Sequence, residues 1–72
     1  MTTYTVTINN VYFANFATFE NAFRAVHNMM TDSGFVLRGA LSTSEGETTY
    51  HYFKDGETIT FSIKPHEREP DW

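Results

Sequence analysis

Cysteine is absent from this 72-residue chain, which excludes disulfide staples, thiolate metal sites and cysteine nucleophiles. Proline occurs only at positions 65 and 70, so nothing upstream of 65 carries a proline stop signal for a helix or strand. Basic residues are few and scattered. Arg24, Arg38, Lys54, Lys64 and Arg68 stand against nine acids, for a net charge of −4 and a pI near 5.1. Phosphate backbones are bound through clustered Lys and Arg, so direct nucleic-acid binding is not expected. No apolar run approaches the ~20 residues of a membrane-spanning helix. The opening MTTYTVTINN carries Thr and Asn where a secretory leader has a basic and then an apolar stretch. The expectation is a cytoplasmic protein with no membrane association.

What the chain does have is aromatic mass: seven Phe, four Tyr and one Trp. Each buried ring removes roughly 150–250 Å² from water, enough for one compact core in a chain whose size otherwise favours marginal stability. The length allows one domain.

Residues 3–8 (TYTVTI) alternate Tyr4, Val6 and Ile8 against three threonines, the pattern of a half-buried strand. Asn9-Asn10 suits a tight turn. The next segment, VYFANF, admits two readings: a short hairpin partner with Val11 opposite Ile8 and Phe13 opposite Val6, or an apolar loop leading into a helix. Thr18 is placed to cap that helix, with Glu20 in its first turn. Phe19, Ala22, Phe23, Val26, Met29 and Met30 then form one apolar stripe, Glu20 and Arg24 pair at i,i+4, and Gly34 closes the helix. FVLRGALS (35–42) reads as a strand with Phe35, Leu37 and Leu41 on one side and Val36, Arg38 and Ala40 on the other. Gly39 in it marks a bulge or a close backbone approach.

The stretch YHYFKDGETITFSI (50–63) reads as a hairpin around Asp55-Gly56. A two-residue turn sets Tyr52 opposite Ile59 and Tyr50 opposite Phe61, and buries Tyr50, Tyr52, Ile59, Phe61 and Ile63. A three-residue loop shifts the register by one and buries His51 and Phe53 instead. The hydrophobic pattern selects the first, which misplaces Phe53 alone. The expected architecture is α+β: a single small domain over 1–64, ordered β-α-β-β-β, with one amphipathic helix on one face of a mainly antiparallel sheet. Residues 65–72 are expected to form a flexible tail.

Motifs that carry chemistry are missing. His27, His51 and His66 are not spaced to converge on a metal. The serines lack the strained-turn context of a nucleophile, and the paired acids of 45–47 and 55–57 lie in exposed turns. No glycine belongs to a phosphate-binding loop. No catalytic set and no cofactor are therefore expected, and the favoured function is a non-enzymatic protein–protein interaction module. Its expected partner-binding residues are Arg38, His51, Phe53, Thr58 and Thr60 on the open sheet face, with Trp72 in the tail as an anchor.

In general build the chain is similar to many small phage and mobile-element proteins, among them inhibitors of host defence nucleases or transcription. That resemblance covers no motif. It implies a larger protein partner. An array of carboxylates imitating DNA fits poorly, because the acids lie at the ends of the strands. The alternative is an assembly protein that self-associates through its open face or a sheet edge, with 58–64 as the expected edge strand.

Overall fold

The computed structural model describes residues 2–67. Five strands and one helix follow in the order β1 (Thr2–Ile8), β2 (Val11–Phe16), α1 (Phe19–Asp32), β3 (Val36–Ser42), β4 (Thr48–Lys54) and β5 (Glu57–Glu67). The expected α+β class holds, with VYFANF as an additional strand. All five strands form one sheet in the order β2-β1-β5-β4-β3, and every neighbouring pair is antiparallel.

Turn chemistry fixes the hairpins. Asn9 and Asn10 take φ of 51° and 67°, and Asp55 and Gly56 take 46° and 84°. Both central residues of each turn are thus left-handed, the signature of the type I′ turn that matches strand twist. The Asp55-Gly56 turn delivers the two-residue register, Tyr52 opposite Ile59 and Tyr50 opposite Phe61. Tyr52, Phe61 and Ile63 are buried, Tyr50 and Ile59 pack against them, and Phe53 points to the other face.

Helix α1 starts where Thr18, in an extended conformation, accepts a 3.1 Å hydrogen bond from the Asn21 amide. It ends in a Schellman motif, with Phe35 N–H bonding to Met30 O and Gly34 N–H to Thr31 O, while Gly34 takes a φ of 89°. The last turn has no basic residue of its own. Lys54 from β4 supplies one, its Nζ donating to Ser33 O at 2.7 Å. Ala22, Val26 and Met30 are the buried positions, so the stripe is centred on i, i+4, i+8, and Phe19 and Met29 fall at its exposed margins.

The helix carries the chain from one edge strand, β2, to the other, β3. Fourteen residues at about 1.5 Å each span about 21 Å, close to the ~19 Å width of five strands. It packs on β1, β2 and β5, and reaches β4 through Phe23 and His27. The core between helix and sheet comprises Val6, Ala22, Val26, Met30, Phe35, Tyr52, Phe61 and Ile63.

Two expectations are corrected. The 58–64 strand is not an edge: β5 is central, zipped between β1 and β4 along both sides. The edges are β2 and β3, because the N-terminal strand returns to pair with the last one. The tail does not begin at 65 either. β5 runs on through Pro65, paired with Tyr4, to Glu67, paired with Thr2. The last β4–β5 pair is Thr48 with Ile63, so Pro65 has no partner on that side and its missing N–H breaks no β4 ladder bond. The Thr2 hydroxyl donates to Glu67 at 2.6 Å, and that bond, with the nearby N-terminal charge, holds the carboxyl below its usual range.

Within the core, Tyr52 and His27 Nδ1 are 2.6 Å apart, so the buried phenol is satisfied. Burial pushes the Tyr52 phenol above the ordinary tyrosine value, with Tyr50 adding to the rise, and burial raises Tyr50 as well. Between the unfolded value near 10 and these higher folded values, the native state keeps protons that the unfolded chain has lost. Stability is therefore full below about pH 10 and falls as pH rises beyond it. Denaturant melts at increasing alkaline pH are expected to show a falling midpoint. Tyr52→Phe is expected to cost about 1 kcal/mol at neutral pH and to make the alkaline decline shallower. An equal decline in the variant would assign the effect elsewhere.

Candidate functional site: the open sheet face

Side chains alternate across a sheet, so the face opposite α1 follows from the register. Thr3, Thr5 and Thr7 of β1, Thr58, Thr60, Ser62, Lys64 and His66 of β5, and Thr49, His51 and Phe53 of β4 all point there. No element of the described residues covers them. One row crosses all five strands: Tyr12, Thr7, Ser62, Thr49, Leu41. At its centre Thr49 Oγ1 and Ser62 Oγ share a 2.9 Å hydrogen bond. Most of these threonines are half-buried by their neighbours.

On the open face, exposed apolar side chains lie at both edges, with Tyr12 (62% exposed) on β2 and three at the β3 side. Val36 is 61% exposed, Leu41 67% and Phe53 39%. Val36 pairs with Phe53, and Phe53 with Thr58 on its other side. His51 lies between Thr60 and Gly39. A bulge at Arg38 breaks the β3 ladder between Leu37 and Gly39. The Arg38 guanidinium sits 5.4 Å from the Phe53 ring centroid, a cation–π contact on the open face. Gly39 leaves a gap beside His51, since a Cβ built there meets nothing within 4 Å. The Gly39 backbone is therefore bare to open space, opposite His51 and between Arg38 and Ala40 in the strand.

The bulge also corrects the sequence reading of β3. Leu37 pairs with helix-facing Tyr52, whereas Gly39 pairs with outward-facing His51. Alternation is thus reset by one residue, which moves Leu41 to the open face and Ala40 to the helix face. The same device works in β2, where the register breaks at Phe13: Ala14, not Phe13, lies opposite Val6, while Val11 opposite Ile8 is as expected. Tyr12, between the turn and that break, lies opposite Thr7 on the open face.

Of the expected binding residues, Arg38, His51, Phe53, Thr58 and Thr60 are brought onto one contiguous surface. Trp72 lies outside the described residues. Val36, Leu41 and Tyr12 were missed. The bulge at Arg38 hid Leu41, for which Gly39 was the sequence signal, whereas Tyr12 opposite Thr7 follows from the hairpin reading of VYFANF, which stood beside a loop reading.

Electrostatically this face differs from the chain as a whole. Its strand residues include Arg38 and Lys64 and no carboxylate, although the net charge is −4. A DNA-like acidic stripe is therefore not built here. Among the described residues no three or more His, Asp or Glu side chains gather to hold a metal ion, and no helix is long and apolar enough to cross a membrane. His27 is bonded to Tyr52, while His51 and His66 stand on different strands. No protein-family model matches the chain, and no match was found among curated proteins or among solved structures.

Proposed function

We propose that this protein is a non-enzymatic interaction module that docks a larger protein through the β3–β4 half of its open sheet face. The observation that carries the reading is the set of exposed Val36, Leu41 and Phe53 on one face around the bare backbone of Gly39, with Arg38 as its charge. Aromatic and arginine side chains supply most interface hot spots, and a cation beside apolar anchors selects a partner surface of matching shape with a carboxylate for Arg38. In this reading the chain occludes or bridges surfaces of its partner, as small phage or mobile-element proteins do when they modulate host defence nucleases or transcription machinery.

Affinity capture from lysate of the source cell, and of its host where the source is viral, tests the proposal. A stoichiometric partner is expected on wild type and on Glu20→Lys, which alters the outer helix surface. Phe53→Asp is expected to weaken binding more than tenfold. Gly39→Thr is expected to do the same by covering the bare backbone there, and it leaves the fold intact because its Cβ enters open space and threonine favours strands. A partner retained by both variants refutes the open-face reading.

A further inference from the structure

Charge in this chain is sorted by face. Of the four Lys and Arg side chains in the described residues, the two on the helix side are engaged, Arg24 with Glu20 and Lys54 with Ser33 O. The two on the open face, Arg38 and Lys64, have no acidic partner among the described residues. The acids lie elsewhere. Glu20 and Asp32 are on α1, while Glu57, opposite Lys54, and Glu67, opposite Thr2, fall on the helix side of β5. Glu45, Glu47 and Asp55 lie in the connections between strands. Glu47 comes next in register after the Thr48–Ile63 pair, towards Lys64, and forms no ion pair with it. His51 and His66 share the open face and bring no negative charge in either protonation state.

Two unpaired cations on one face meet a carboxylate favourably and repel a like charge, and excluding water at an interface enlarges both effects. We infer that the partner segment received by the open face is acidic: an extended stretch of another protein with one carboxylate for Arg38, a second for Lys64, and an apolar side chain against Leu41 or Phe53. The sheet sets the spacing. Gly39, next to Arg38, is level with His51 and Thr60, so Lys64 is two strands across and four residues along, roughly 17 Å away. Leu41, level with Thr49 and Ser62, falls between the two cations along the strands. About five extended residues of a partner cover that distance. This inference rests on the open-face docking reading and adds to it the partner's charge and the contact at Lys64. Net charge alone predicts the reverse, since a chain at −4 attracts cationic segments.

Selection from a phage-displayed library of random dodecapeptides on the immobilised full chain tests it. Enriched peptides are expected to carry two or more Asp or Glu about five residues apart, with an apolar residue between them. The most enriched peptide, synthesised and measured by fluorescence anisotropy, is expected to lose affinity about fivefold or more with Arg38→Glu and again with Lys64→Glu. Lys64→Gln is expected to weaken it less, and Glu20→Lys to leave it bound. Circular dichroism checks that each variant folds. Selection on the Arg38→Glu, Lys64→Glu double variant is expected to enrich basic peptides instead. Neutral or basic peptides on wild type, no enrichment above the bare support, or acidic peptides indifferent to both reversals each overturn the inference. Neutral peptides that Phe53→Asp abolishes overturn it while leaving the docking face standing. Acidic peptides that need Arg38 and Lys64 but tolerate Phe53→Asp and Gly39→Thr support the charge inference and refute the apolar docking reading.

Discussion

Phe61→Ala is expected to destabilise the domain by about 3–5 kcal/mol, the range for removing a fully enclosed aromatic ring. Phe61 is 1% exposed at the middle of the central strand. It is opposite Ile8 on β1 and Tyr50 on β4. Its ring stacks 4.9 Å from Tyr50 and 5.5 Å from Tyr52, and lies 6.4 Å from Phe23 of the helix. Truncation therefore removes the contact shared by three strands and the helix, and those elements are too constrained by their ladders to close the gap. At roughly 0.05–0.15 kcal/mol per residue, a chain of 72 residues has about 4–11 kcal/mol in total. The loss is a third of that or all of it. For a domain this size each kcal/mol moves Tm by about 4–8 °C, so thermal melts should show a drop on the order of 15–30 °C or no cooperative transition. Phe61→Leu, which keeps most of the volume, is expected to lose far less. A Phe61→Ala Tm within a few degrees of wild type would contradict the stack as the centre of the core.

The position of Phe61 also separates what was legible in the sequence from what was not. Its inward orientation was readable, because Asp55-Gly56 sets a two-residue turn and alternation on both sides of the turn agrees with it. The helix was readable for similar reasons, since Thr18, the apolar stripe and Gly34 all lie within one local stretch. Its central placement was not readable. β1 pairs with β5 across most of the chain length, Thr7 with Ser62 for example, and local periodicity says that a segment is a strand without saying what lies beside it. That is why 58–64 read as an edge. Bulges limited the rest. One extra residue at Arg38 and one at Phe13 reverse the faces that follow, and Pro65 reads as a stop unless the neighbouring strand is known to have ended. The same logic explains the candidate site. Arg38, His51, Phe53, Thr58 and Thr60 were legible from the hairpin and its neighbour, while Leu41 lies beyond a bulge and Tyr12 on a segment that also read as a loop.

Two adjacent substitutions should have opposite outcomes. Tyr52→Asp is expected to abolish folding, and Phe53→Asp to change stability by no more than about 1 kcal/mol. Tyr52 is fully buried between Phe61 and the helix, with His27 as its hydrogen-bond partner. An aspartate there removes the ring, leaves a cavity, and places a carboxyl where no cation waits. The group must then stay protonated or draw water in, at a cost above about 4 kcal/mol with the cavity included. Phe53 faces solvent under the Arg38 guanidinium. Replacing it with aspartate trades a cation–π contact for an exposed ion pair, two interactions of about 1 kcal/mol or less. Circular dichroism melts and the dispersion of amide proton resonances distinguish the two results. If Phe53→Asp unfolds the chain and Tyr52→Asp does not, the hairpin is paired through a three-residue loop and its faces are exchanged. The expected pattern does more than confirm a register. A Phe53→Asp protein that folds like wild type makes any loss of partner binding attributable to the open face, so the stability comparison is what lets the binding experiment be read as function.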